Sequence, residues 1–260
     1  MSKLPIARLD RLLANLGYGS RKEVQSLVAA GLVMLDGAVL PRADERVAVT
    51  ADLKDRMLVD GLPIDPPPPL ALLMHKPLGV VCSHREPGRS VYDLLPRRWS
   101  RRDPAISTIG RLDKETSGLL LMTDDGGLLH RIISPKTNIA KRYLVSLENP
   151  LRGDEADIFA SGNMLIEGET KPLLPAILYK IAPNRCWLTI TEGRYHQVRR
   201  MFAATGNHVA ALHRDRIGGL DLPENLEAGA FRSLTDAELG LVMAMDKIGG
   251  TPPVSSAGDV

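Results

Sequence analysis

The chain has 260 residues, 44% of them hydrophobic, with a net charge of only +2. That apolar share can close a sizeable core and excludes a wholly disordered chain, while the longest apolar stretches fall far short of the ~18 residues that span a bilayer. Two cysteines, Cys82 and Cys186, supply neither a disulfide framework nor a metal-ligand cluster, so a reducing, cytoplasmic setting without an export signal is expected.

In chain order, Leu9, Leu12, Leu13 and Leu16 recur at i, i+3, i+4, i+7 and predict one apolar helix face, which Gly17 ends. Ser20 and Glu23 are spaced as a capping box and open a second helix, with Val24, Leu27 and Val28 on its apolar face and Gly31 just past its end. Asp36-Gly37 inside the apolar run 32–40 predicts a tight hairpin. Arg8, Arg11, Arg21 and Lys22 crowd the polar side of this two-helix unit, which suits a small RNA-binding module; a plain helical cap would share the pattern. Gly61-Leu-Pro-Ile-Asp-Pro-Pro-Pro-Pro-Leu70 reads as a stiff spacer. The expected organisation is therefore a small domain over 1–60, a linker over 61–70, a larger body over 71–248 and a disordered tail over 249–260.

In the body the predicted strands are 71–74, 118–123, 142–147, 175–180, 186–191 and 209–213. The predicted helices are 126–133, 154–160, 195–205 and 236–245. Strands and helices do not alternate with helix-length crossovers, so a doubly wound parallel sheet is not expected. The predicted class is α+β: a small αα-hairpin module and a larger domain with a mixed, mainly antiparallel sheet flanked by helices.

Arginine outnumbers lysine 23 to 10. The arginines cluster at 97–102 and again from Arg194 to Arg216, where His196, His208 and His213 join them. Such patches read either as a footprint for a polyanion or as solvated surface. Three segments of the body could carry chemistry. Asp113 sits in a polar, Gly-flanked loop before an apolar strand, two positions from Arg111; it is a turn-former or a carboxylate nucleophile. Tyr143 follows Lys141 and Arg142 on a strand, and in a chain with ten aromatic residues it is either a core side chain or a surface for stacking a base. Residues 191–204 read as strand, Gly turn and helix, bringing Arg194, His196, Arg199 and Arg200 together. His196 has no nucleophile or ligand partner in the sequence and is read as structural or RNA-contacting.

These segments carry a resemblance. Arg8-Leu-Asp-Arg-Leu-Leu13, Ser20-Arg-Lys-Glu-Val24 and Val33-Met-Leu-Asp-Gly37 resemble the S4 RNA-binding domain. Gly110-Arg-Leu-Asp-Lys-Glu-Thr-Ser-Gly118 is similar to the G-R-L-D-x-x-[ST]-[ST]-G signature of RNA pseudouridine synthases. Lys76-Pro-Leu-Gly-Val80, Lys141-Arg-Tyr143 and Gly193-Arg-Tyr-His-Gln-Val-Arg199 match that family's other motifs in order. Arg8-Leu-Asp10 repeats three letters of the signature without its continuation and is rejected as catalytic. The stretch 193–219 most resembles the branch acting on small-subunit (16S) ribosomal RNA; the large-subunit (23S) branch is the alternative, as is a non-catalytic ribosome-assembly factor. A glycosidase would need a second placed acid, and the family pattern gives Glu115 no role.

The resemblance implies isomerisation of uridine in ribosomal RNA to pseudouridine, without cofactor or metal. It implies Asp113 as nucleophile, Tyr143 against the target base and Arg199 as the cation paired with Asp113. Arg111 would fill the space left by the extruded base. Lys76, Arg142 and Arg194, with Arg8, Arg11, Arg21 and Lys22 of the small module, would contact substrate. The expected partner is ribosomal RNA within a small-subunit assembly intermediate, with no membrane and a monomeric chain.

Overall fold

The computed structural model describes residues 5–83 and 86–244; the tail expected over 249–260 lies outside them. The chain divides into two compact units. The first comprises Met1–Leu72, Val91–Ile109 and Leu121–Leu129, and the second Leu73–Ser90, Gly110–Leu120 and His130–Val260.

The first unit opens with β1 (Ile6–Arg8), α1 (Leu9–Asn15) and α2 (Arg21–Ala29), followed by β2 (Val33–Leu35), β3 (Ala38–Val39) and β4 (Arg46–Ala48). A single turn, α3 (Leu53–Arg56), then leads to β5 (Met57–Val59) and β6 (Leu62–Pro63). Leu9, Leu12, Leu13 and Leu16 are all buried, packed with Val24, Val28, Val33, Met57 and Ile64 in one core. The predicted capping box is present in both directions: Glu23 N–H donates to Ser20 Oγ and Ser20 N–H donates to the Glu23 carboxylate. Asp36 and Gly37 both take positive φ, 52° and 81°, the geometry of a type I′ hairpin, joining β2 to β3 in the sheet β3-β2-β5-β6. β1 and β4 pair antiparallel; at three residues each they leave too little periodicity to be read in advance.

Asp10 of the rejected repeat is wholly buried in this unit and accepts from Arg8, Arg21 and Gln25. Those partners hold its carboxyl down at about 2. Residues 61–70, read as a bare spacer, are tied into the same unit. Asp65 pairs with Arg98 at 2.7 Å, Pro66 O accepts from Arg102, and Leu70 N–H donates to Asp124. Arg98 also lies 4.2 Å over the Tyr18 ring, and Arg102 is buried in an ion pair with Asp124 at 3.0 Å. Two of the four arginines in 97–102 thus brace this unit.

From Ala71 onward the chain builds a nine-stranded sheet. Its strands are β7 (Ala71–Lys76), β8 (Ser107–Ile109), β9 (Thr116–Thr123), β10 (Lys141–Leu147), β11 (Ile177–Ala182), β12 (Arg185–Ile190), β13 (Val209–Ile217), β14 (Leu220–Asp221) and β15 (Phe231–Ser233). Helices α4 (Gly126–Ile133), α5 (Glu155–Ala160), α6 (Gln197–Ala204) and α7 (Asp236–Met243) accompany it. The strand order is β11-β12-β10-β13-β9-β7-β15, with β14 on β13 and β8 on β9. β10 pairs antiparallel with β12 and β13, whereas β13 and β9 run parallel. This is the mixed sheet of the expected α+β class. Leu119, Leu120, Leu121 and Met122 are all fully buried, which makes β9 an apolar central strand that begins at the signature loop.

Candidate functional site

Asp113 lies in the turn between Gly110, at φ +73°, and β9. Several side chains and backbone groups brace this turn. Asp113 O accepts from Thr116 N–H, and Lys114 O accepts from Gly79 N–H. Lys76 is fully buried, and its ammonium donates to the carbonyls of Pro77, Lys114 and Thr116 at 3.0, 3.4 and 2.7 Å. Burial pulls the Lys76 ammonium below its ordinary range, and the nearby charges of Asp113 and Glu115 oppose that shift. Lys76 therefore acts as a strut under the signature loop. Its ammonium, expected to contact substrate, is engaged with these three carbonyls and has no exposed surface.

The Asp113 side chain is one-third exposed, and His196 Nε2 lies 3.4 Å from its Oδ1. The expected Asp113–Arg199 pair is absent from the ion pairs of the described residues. Arg199 instead donates to Glu115 O at 2.7 Å and Val209 O at 3.0 Å, clamping the signature loop to the start of β13. It also lines a cavity of about 340 Å³ with Leu78, Glu115, Ser117, Leu144 and His213.

Strand register decides what shares a face with Tyr143. Leu144 pairs with His213, and Tyr143 pairs with Arg214. Alternation places the first pair toward the cavity and the second on the opposite face. Arg214 in turn pairs with Gly118 of β9, so Gly118, Arg214 and Tyr143 lie side by side across three strands. A Cβ on Gly118 would sit 2.1 Å from Arg214 O, and its φ is +112°. The last glycine of the signature is therefore required by a backbone approach.

Arg214 is the basic residue that the sequence reading passed over. It is 2% exposed, its Nε donates to Leu119 O at 2.8 Å, and its guanidinium lies 6.0 Å from the Tyr143 ring centre. Its Nη2 is buried without a protein partner. Lys141, another residue of the same neighbourhood, is pushed down to about 8 by burial and then by the Arg214 charge. Arg214 lies in the stretch 193–219 that carries the resemblance, but the register that sets it against Tyr143 is invisible in a single sequence.

The remaining expected contacts are mostly engaged within the protein. Arg142 and Tyr143 are both buried, and the Arg142 guanidinium is held by Asp215 and Asp221 at 2.8 and 3.1 Å. Arg194 is bound to Glu169, Glu192 and the carbonyls of Lys171 and Pro172; it too is a brace. Arg200 shares Glu169, and Arg216 pairs with Asp221. Arg111 is exposed and pairs with Glu86. In the first unit, Arg8 and Arg21 hold Asp10 while keeping about half of their side chains exposed, and Arg11 and Lys22 are exposed. Among the described residues, no cluster of His, Cys, Asp or Glu could hold a metal, and no helix is long and apolar enough to cross a membrane.

The signature loop that carries Asp113 is braced by Lys76 and Arg199, and Tyr143 and Arg214 are paired on the mixed sheet. The RNA pseudouridylate synthase family profile matches residues 71–204, and the S4 domain profile matches residues 7–52. The chain is 42% identical over 239 residues to "Uncharacterized RNA pseudouridine synthase YtzG" of Bacillus subtilis, covering 90% of this chain and 98% of that one. It is 40% identical over 240 residues to "Ribosomal small subunit pseudouridine synthase A" of Escherichia coli K12, covering 91% and 100%. A solved structure described as a pseudouridylate synthase superposes with a TM-score of 0.64 at 33% identity, covering 90% of this chain and 99% of that one. Profile, relatives and fold agree across nearly the whole length, and the chain belongs to the RNA pseudouridylate synthase family.

Proposed function

We propose that this protein isomerises a uridine of 16S ribosomal RNA to pseudouridine, with Asp113 as the nucleophile. The uridine N1–C1′ bond breaks, the uracil turns, and C5 bonds to C1′. C5 then loses its proton and N1 gains one, so the reaction is balanced without redox change, hydrolysis or cofactor. The observation that carries this reading is Asp113 itself: one-third exposed, on a loop whose carbonyls at 114, 115 and 116 are each tied down. A nucleophile held this way loses little entropy on reaching its target. The 16S assignment rests on the small-subunit relative.

Tyr143 lies against the extruded base, with Arg214 behind its ring. Arg111 is exposed at the loop and enters the gap that the base leaves. Residues 1–60 form the RNA-binding domain, and Arg8, Arg11, Arg21 and Lys22 face the phosphates. Residues 71–248 are catalytic. The protein works as a cytoplasmic monomer on a small-subunit assembly intermediate.

The test is tritium release from 16S rRNA carrying 5-tritiated uridine. Wild type releases tritium. Asp113→Asn releases none and binds the RNA within about twofold of wild type. Release from 23S rRNA alone moves the assignment to the large subunit. Absence of release from either RNA leaves a binding factor and overturns the catalytic reading.

A further inference from the structure

We infer that Tyr195, with His196 stacked beneath it, is a platform on which an unpaired RNA base stacks next to Asp113. The inference rests on the proposed RNA substrate and adds a contact that the signature residues do not supply.

Tyr195 is 74% exposed, although the segment around it is firmly fixed. Its inner face is covered by the His196 imidazole, with ring centres 3.8 Å apart and planes 18° apart. The imidazole in turn reaches Asp113 at 3.4 Å. The pair therefore connects an open aromatic face to the carboxylate through two contacts.

The backbone holds the ring outward at a cost. His196 takes φ +48° and ψ 31° at the start of α6, and its side chain makes no capping bond there. A non-glycine residue in this region is strained and persists only where its surroundings impose it. Those surroundings are visible. Arg200 Nη1 donates to Tyr195 O at 2.9 Å, and Arg194 N–H donates to the Gln197 side chain at 2.9 Å. Gln197 N–H donates to Arg194 O at 3.1 Å, and Glu169 anchors both arginines. The arginines of the segment are consumed in fixing the turn, and the tyrosine ring is what the turn presents.

An exposed ring with its back already covered offers one π face. Every nucleobase has such a face, so a base stacks there without sequence choice, at about 1–3 kcal/mol per base. The occupant is an unpaired base adjoining the uridine that reaches Asp113.

The experiment compares full-length wild type with Tyr195→Phe, Tyr195→Leu and Tyr195→Ala. Filter binding to unmodified 16S rRNA gives Kd, and tritium release gives KM and kcat. The stacking energy converts to a loss of roughly 5- to 100-fold. Tyr195→Phe is expected within twofold of wild type. Tyr195→Ala and Tyr195→Leu are expected to raise Kd and KM roughly 5- to 100-fold with kcat within about threefold. Alanine within twofold of wild type, phenylalanine as weak as alanine, leucine as good as phenylalanine, or a loss confined to kcat overturns the platform. If wild type releases no tritium, the proposed function fails, and the Kd series alone still decides the platform.

Discussion

Gly118→Ala tests the packing that places the signature loop against β13. The new Cβ would lie 2.1 Å from Arg214 O, 2.7 Å from Arg214 N and 2.8 Å from Arg214 C. All three atoms are backbone, so no side chain can rotate away and the parallel β9–β13 pairing must open. At φ +112°, alanine also pays about 1–3 kcal/mol of conformational strain, and forced overpacking adds about 1–3 kcal/mol. The expected loss is about 3–5 kcal/mol. Gly110→Ala is the matched control: φ is +73° and the space around a Cβ is open, so only the strain remains. At about 2–4 °C per kcal/mol for a body of this size, the overpacking of about 1–3 kcal/mol should make Gly118→Ala melt about 2–12 °C below Gly110→Ala by circular dichroism. Tritium release at low temperature should fall with it, because the strand that shifts carries the Asp113 loop. Melting temperatures within ~2 °C of each other would refute the close approach as the reason for this glycine.

Three further outcomes are expected. Lys76→Met takes the ammonium from the Pro77 and Thr116 carbonyls and leaves Lys114 O with Gly79 N–H; at about 1–3 kcal/mol per buried orphaned acceptor, less the relief of a buried charge, urea unfolding should show a net loss of about 2 kcal/mol, and wild-type stability with full activity would contradict the strut. Asp10 has a folded value of about 2 against 3.8, so its contribution is full above pH ~4 and fades as pH falls through ~2. Asp10→Asn should cost about 1–2 kcal/mol at pH 7, given the half-exposed partners, and the gap to wild type should close on acidification; a pH-independent gap would assign the loss to packing. Lys141 has a folded value of about 8 against 10.5, so between those pH values the unfolded chain holds a proton that the folded chain lacks, and stability rises with pH. Relative to Lys141→Met, wild type should gain about 3 kcal/mol from pH 8 to 10.5; a difference that is flat with pH would show that the amine is solvated.

What was legible in advance was local. The α1 face, the Ser20 capping box, the Asp36-Gly37 turn and the helix at 126–133 depend on neighbours within a few positions, and each stands where the pattern placed it. Asp113 was legible through a contiguous motif. The arginine patches were not, because key partners are distant in sequence: Asp124 for Arg102, Glu169 for Arg194 and Arg200, Asp221 for Arg142. A run of cations advertises a polyanion only while its acids go unseen.

The roles around Tyr143 expose the same boundary more sharply. His213 and Arg214 are adjacent in sequence, yet one lines the cavity with Leu144 and the other backs the tyrosine. A slip of one residue between β10 and β13 would exchange them, and the register shift between Arg142 and Tyr143 shows how local the decision is. Arg199, marked by the motif as the cation for Asp113, is drawn instead to the carbonyls of Glu115 and Val209, while the acid meets His196 from the same turn. A motif specifies which side chains are available; the pleat and pairing of β9, β10 and β13 determine which of them meet. The segment 193–199 thus contributes braces and an aromatic pair, and the positive charge behind Tyr143 comes from β13.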